Sequence, residues 1–216
     1  MSSKQRVRRF LCGGISVMIL GISLIGCGGS QDGNLTFDQF ASEKQSFSHP
    51  DYSWDMSAAD VKEILSGKVY VSPKGADLTY QEIPENLDGY TGSFFPEQNV
   101  KFYGLEWEPQ YQFKDGELWA AVLSCQMPEG GTQKFDEMVK DAQKAFGPET
   151  DAKINEPLDI SEDLQINADD FTFTTYTWER TDENGEVTKA VLNADIIQGT
   201  VTSMSFYLNK FPKSEE

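Results

Sequence analysis

The chain has 216 residues, with 18 Lys and Arg against 35 Asp and Glu, for a formal charge of −17. An acidic balance of this size excludes nucleic acid as a partner, because phosphate binding needs a basic face. One histidine, His49, and three cysteines, Cys12, Cys27 and Cys125, are too few and too scattered for a Cys/His metal centre or a histidine-based triad.

The first nine residues carry Lys4, Arg6, Arg8 and Arg9 and no acid, and Phe10 to Gln31 has no charged side chain. A basic start, an apolar stretch and a small residue before a cut site make up a signal peptide, and the basic end stays in the cytoplasm. The sequence Leu24-Ile25-Gly26-Cys27 resembles a bacterial lipobox. The resemblance implies cleavage between Gly26 and Cys27 and a diacylglycerol on the Cys27 sulfur, hence a membrane partner through covalent lipid. Stable anchoring takes more than one acyl chain, at ~0.8 kcal/mol per buried CH₂. The alternative is an uncleaved membrane helix, since the uncharged run is long enough to cross a bilayer. Gly13, Gly14, Gly21, Gly26, Gly28 and Gly29 weaken that helix and favour processing. Either way the rest of the chain is placed on the extracytoplasmic face.

Removal of residues 1–26 takes four basic residues and no acid, leaving 14 basic against 35 acidic and a formal charge of −21. Cys12 leaves with the signal and Cys27 is committed to lipid, so Cys125 is the one free thiol and no internal disulfide can form. Cys125 lies in the apolar run Ala120 to Cys125 and is expected to be a small buried hydrophobe.

Residues 27–50 open on a Gly/Ser-rich polar stretch and are expected to be a flexible spacer, with Phe37 and Phe40 able to dock onto the acidic domain of residues 51–216. Ser57 and Asp60 form a capping-box variant opening a short helix, with Val61, Ile64 and Leu65 on its apolar face and Gly67 past its end. Val69–Val71 and Leu78–Ile83 are strand candidates, and residues 84–99, rich in Pro and Gly, a long loop. Asp115-Gly116 and Asn184-Gly185 each sit between strand-like runs (Val100 to Phe113 and Leu118 to Met127; Phe171 to Arg180 and Val187 to Ile197), which predicts two type I′ hairpins. Between them Thr132 caps a helix through Phe146 with Phe135, Met138, Val139, Ala142 and Phe146 as its buried stripe, stopped by Gly147-Pro148. A last strand runs from Thr200 to Leu208. The expected fold class is α+β, an antiparallel sheet with two helices packed on one face. An echo between the segments at Asp115-Gly116 and Asn184-Gly185, each preceded by Trp-Glu, suggests two helix-plus-hairpin halves.

No catalytic, cofactor-binding or metal-ligating set emerges. Glu106 and Glu108 flank Trp107 and share one face of a strand, and a glycosidase needs such a pair with one member buried. The acidic stretch Asp159, Glu162, Asp163, Asp169 and Asp170, and the turn Asp182 to Glu186, lack the order of an EF-hand loop. Trp54, Trp107, Trp119 and Trp178, with Tyr103, Tyr111 and Tyr176, either fill the core or line a binding surface for peptide or glycan.

Met56-Ser57-x-x-x-Val61 opening a short helix before paired strands is similar to outer-membrane-assembly lipoproteins of the BamE/SmpA type, and the two-half pattern to β-lactamase-inhibitor-protein-like domains. That similarity implies helices on one face of an antiparallel sheet and action by binding proteins. Asp55 replaces the Gly usual before Met in the assembly family, and Leu65-Ser66-Gly67-Lys68 lacks its Gly-x-Pro ending, so no functional residue carries over. Cys27-Gly28-Gly29-Ser30 also looks like Gram-positive surface lipoproteins, a resemblance that implies a cell membrane in preference to an outer membrane. The expected function is a lipid-anchored, non-catalytic domain binding a cell-envelope protein or glycan. An envelope-assembly or inhibitor module is the alternative, and a glycan or peptide hydrolase comes third.

Overall fold

The computed structural model describes residues 34–41, 44–73, 83–126, 128, 130–157 and 171–211. Three helices, α1 (Phe37–Phe40), α2 (Ala58–Ile64) and α3 (Gly131–Phe146), accompany strands β1 (Val69–Pro73), β2 (Gly92–Pro96), β3 (Val100–Phe102), β4 (Leu105–Lys114), β5 (Glu117–Gln126), β6 (Asp151–Pro157), β7 (Phe171–Thr181), β8 (Val187–Ile197) and β9 (Thr200–Phe211). All nine strands join one antiparallel sheet in the order β1-β2-β4-β5-β9-β8-β7-β6, with β3 also on β4. About 50% of the structure is strand and 18% helix, which corrects the expected α+β class to a mostly antiparallel β-sheet protein.

The physical reason lies in chain segments without an obvious period. Residues 84–99, expected to be loop, contribute β2, and residues after Pro148 contribute β6. The stretch Val100 to Phe113 is two strands, because Tyr103 (φ 54°) and Gly104 (φ 72°) both take positive φ in a two-residue turn. Gln198 (φ 49°) and Gly199 (φ 77°) do the same between β8 and β9. Each expected helix-plus-hairpin half is therefore a larger meander, β1-β2-β4-β5 and β6-β7-β8-β9, and the two join through β5 and β9. Pro109, with no amide hydrogen to donate, lies at the level of the break between β2 and β3 along β4.

Several local expectations hold. Asp115 (φ 53°) and Gly116 (φ 91°) form the type I′ turn between β4 and β5. The Asp60 amide donates to Ser57 Oγ and the Ser57 amide to Asp60 Oδ2, both at 3.1 Å, closing the capping box. Other details differ. The loop from Asp182 to Glu186 is longer than two residues, with Gly185 at φ 81°, and Asp182 Oδ1 accepts from the amides of Asn184 (2.9 Å) and Glu186 (2.8 Å). Thr132 does not cap α3; Gly130 precedes it in a left-handed conformation, and Thr132 Oγ1 accepts from the Val201 amide. Ile64 is exposed rather than part of the buried face of α2.

Both hydrophobic clusters lie on the same side of the sheet. In β4, Trp107, Pro109, Tyr111 and Phe113 point inward, alternating with Glu106, Glu108, Gln110 and Gln112. The larger cluster packs Phe135, Met138 and Ala142 of α3 and Phe37 and Phe40 of α1 against Trp107, Trp178, Leu192 and Phe206. The smaller packs Ala58 and Val61 of α2 against Phe94, Tyr111, Phe113 and Leu118. Residues assigned to the spacer are central here: Leu35, Phe37, Phe40, Phe47 and His49 are all buried. Asn34 Oδ1 accepts from the Gly104 amide, the Leu35 amide donates to Lys101 O, and the Phe47 amide donates to the buried Thr188 Oγ1. Arg180 closes over Phe47, 4.2 Å from the ring centre. The folded domain thus begins by residue 34, well before residue 51.

Candidate binding surface

Gly26 and Cys27 lie outside the described residues, as does the acidic stretch from Asp159 to Asp170. Among the described helices, none is long and apolar enough to cross a membrane. Among the described residues, no three His, Cys, Asp or Glu side chains converge as metal ligands would.

The aromatic residues divide between core and surface. Trp107 and Trp178 are buried, their indole N–H groups donating to Phe102 O and Gly147 O, both at 2.9 Å. Tyr111 is buried, and Tyr103, Tyr176 and Trp54 pack half-buried against the same clusters. Trp119 belongs to neither cluster. Gln112 pairs with Ala120 and Phe113 with Leu118, so Trp119 is the extra residue of a β-bulge. With Leu118 and Ala121 inward, Trp119 and Ala120 are both turned to the outer face.

That outer face has no described helix on it. One cross-strand row runs Thr177, Val191, Tyr207, Val122, Gln110; the next runs Thr175, Asn193, Ser205, Ser124, Glu108. Ala120 and Val122 are buried here outside both clusters. Thr175 Oγ1 donates to Asn193 Oδ1 at 2.7 Å, Gln110 Nε2 to Ser93 Oγ at 3.1 Å, and the Ser203 hydroxyl donates to the Asp195 carboxylate. Lys189 and Glu179 pair at 2.8 Å toward one margin. Asn209 Oδ1, beside Ala120, is buried with no hydrogen-bond partner. The middle of the face is therefore apolar and uncharged-polar, with carboxylates and lysines at its edges. Glu106 and Glu108 are on this side, and both are exposed.

The other features are smaller. A hollow of about 260 Å³ lies among Ser53, Trp54, Asp55, Asp182, Glu186 and Lys210, the last two paired at 2.9 Å. The Ser53 hydroxyl holds the Asp55 carboxyl below its usual range. A shallower hollow of about 420 Å³ follows residues 48–56 and shares Ser53 and Trp54 with the first. Its floor is His49, whose Nδ1 accepts from the Asp51 amide at 3.2 Å and whose ring meets Phe40, Tyr52 and Tyr111. Burial pushes the His49 pKa down to about 3, so the imidazole is neutral and held as a core residue. The Tyr52 and Tyr111 hydroxyls are hydrogen-bonded, and burial pushes Tyr52 up to about 12. Burial, with Glu108 second, raises the Cys125 thiol, which fits an inert buried residue.

The exposed carboxylate pair and the shared face of Glu106 and Glu108 were legible from alternation. Tyr207 and the bulge at Trp119 were missed; the only available signal was the alternation of Met204, Phe206 and Leu208, which turns Tyr207 outward. No protein family, curated protein or solved structure matches the chain.

Proposed function

We propose that the chain is a lipid-anchored extracytoplasmic binding protein, held by diacylated Cys27 and engaging a cell-envelope protein or glycan, without catalysis, through the outer face of its sheet. The observation that carries the reading is the asymmetry of the sheet. One face is filled by two hydrophobic clusters and three helices; the other presents half-buried Trp119, Val191 and Tyr207 amid Thr, Ser and Asn. Half-buried aromatics on a rigid sheet lose little freedom when a partner covers them, which suits them as anchors. The exposed positions of Glu106 and Glu108 support binding over hydrolysis, because a glycosidase needs one carboxyl of its pair buried.

Two measurements test this. The mass of the N-terminal peptide from membranes should show cleavage before Cys27 and acylation of it, and Cys27→Ala should release the protein from the membrane fraction. Crosslinking from intact cells should recover a partner with the native chain and lose it with Trp119→Ser plus Tyr207→Ser. Equal recovery by that double variant, once its unfolding transition is shown to be native-like, would remove the outer face from the proposal.

A further inference from the structure

The outer face of the sheet has a lining that narrows the kind of partner it takes. Two cross-strand rows form its middle. Thr177, Val191, Tyr207, Val122 and Gln110 carry no charge across five strands, about 19 Å at ~4.8 Å per strand spacing. Thr175, Asn193, Ser205 and Ser124 run beside them. On the other side lie Asn209 and Ala120, with Trp119 at its bulge. Among the described residues, charge enters at the margins. In the register of the sheet the border holds Glu108, Asp151, Glu156, Glu179 and Asp195 against Lys153 and Lys189, a net of −3.

We infer that this face takes an uncharged glycan chain, stacked on Trp119 and Tyr207 and hydrogen-bonded by the carboxamides and hydroxyls around them. This rests on the outer face being the binding surface, as proposed above. A sugar hydroxyl both donates and accepts, and so do the Ser, Thr, Asn and Gln side chains that make up most of the middle. Two of the carboxamides are held in place on either side of Tyr207. Thr175 Oγ1 donates to Asn193 Oδ1 at 2.7 Å, which leaves the Asn193 Nδ2 hydrogens as donors. Gln110 Nε2 donates to Ser93 Oγ at 3.1 Å, which leaves Gln110 Oε1 as an acceptor. A donor and an acceptor are thus fixed three strand spacings apart, about 14 Å, before any ligand arrives.

The aromatic pair supplies the apolar part of the contact. Trp119 and Tyr207 are half-buried, and the C–H face of a sugar ring packs on the negative face of an indole or phenol. Protein interfaces draw instead on Arg and Met and are depleted in Ser. The two middle rows have neither Arg nor Met, and they include Ser205 and Ser124. The border decides the charge of the chain. A net −3 rim on a protein of formal charge −17 repels phosphodiester and uronate polymers, whereas a neutral chain meets no such opposition. The length of the uncharged row suits several sugar rings in succession rather than one.

The test is an array of immobilised cello-, chito-, xylo- and mannohexaose, with polygalacturonate as the anionic arm, probed with the detergent-solubilised full chain. Binding to at least one neutral hexasaccharide, and none to polygalacturonate, is expected. Trp119→Ala and Tyr207→Ala should each weaken that binding about tenfold or more. Asn193→Asp keeps the acceptor for Thr175 and replaces the Nδ2 donor by negative charge, so it should weaken binding by a similar factor. It serves where an aromatic variant fails to unfold like the native chain in urea. No binding to any neutral glycan, equal binding to polygalacturonate, or unchanged binding by the folded variants would overturn the inference. The crosslinking described above separates the two ideas. A protein partner lost with Trp119→Ser plus Tyr207→Ser, in the absence of glycan binding, defeats the glycan and keeps the face. If the double variant leaves that crosslink unchanged as well, the outer face falls with it.

Discussion

His49 should make the domain lose stability toward acid well before its carboxylates protonate. The imidazole sits under Phe40, Tyr52 and Tyr111, at ring distances of 5.8, 4.7 and 5.7 Å, and its one hydrogen bond, from the Asp51 amide, requires an unprotonated Nδ1. Burial takes its pKa from 6.5 to about 3. The unfolded chain therefore binds a proton below about pH 6.5 while the folded one refuses it, so stability is full above 6.5 and falls until about pH 3. At ~1.36 kcal/mol per pH unit the loss is about 2 kcal/mol by pH 5 and at most about 5 kcal/mol at the lower limit. Asp51, whose carboxyl burial raises, acts in the opposite sense: its contribution is present at low pH and lost as pH rises. The clean window is therefore pH 8 to 5. The assay is urea unfolding across that window for the native chain and for His49→Asn, which keeps an acceptor for Asp51 and cannot titrate. The variant should be less stable at pH 8 through lost packing, yet show a pH slope flatter by about 2 kcal/mol between pH 7 and 5. Identical slopes would refute the reasoning, since every other titrating group is common to both proteins.

Three further outcomes follow from local geometry. Gly116→Ala should cost about 1–2 kcal/mol, because φ 91° disfavours a Cβ and that atom would meet the Gly89 amide nitrogen at 3.2 Å, whereas Asp115→Asn should leave the melting temperature within a degree or two. Ser57→Ala should cost about 1 kcal/mol, and adding Asp60→Ala should cost less than the sum of the two single changes, as a double-mutant cycle by denaturant titration would show. Cys125 should react with a thiol reagent only on opening, so its labelling rate should rise with sub-denaturing urea; rapid labelling of the native fold would contradict its burial.

What the sequence disclosed was whatever is encoded within a few residues. The Ser57–Asp60 box, the Asp115-Gly116 turn and the apolar stripe of α3 are of this kind: each is a contact between near neighbours in sequence. Tyr103-Gly104 and Gln198-Gly199 are equally tight turns, but Tyr and Gln rarely adopt positive φ, so nothing in their identity announces them. Strand β2 hid among prolines and glycines because its pairing is set by β1 and β4, which are distant in sequence. The outer face had the same difficulty. Alternation put Glu106 and Glu108 together correctly, yet one bulge at Trp119 decides which way that indole points, and a bulge depends on the register of two strands.

The segment before residue 51 shows most sharply how a weak pattern can carry a large energy. Leu35, Phe37, Phe40 and Phe47 share no sustained helical or strand period, and α1 is only four residues long, so the segment reads from sequence as a spacer. In the fold all four are buried, and Phe37 meets the rings of Phe102, Phe146 and Phe206 edge-on at 5.0 to 5.3 Å. At about 1.5–3 kcal/mol for each fully buried large side chain, they contribute about 6–12 kcal/mol, the size of a whole domain's stability. A chain of residues 51–216 would also expose Phe102, Phe146 and Phe206, whose rings Phe37, Phe40 and Phe47 meet. It should therefore be unfolded or aggregated, while residues 34–216 should unfold cooperatively in urea. A cooperative, native-like transition in the 51–216 chain would show that the segment is an accessory rather than part of the core.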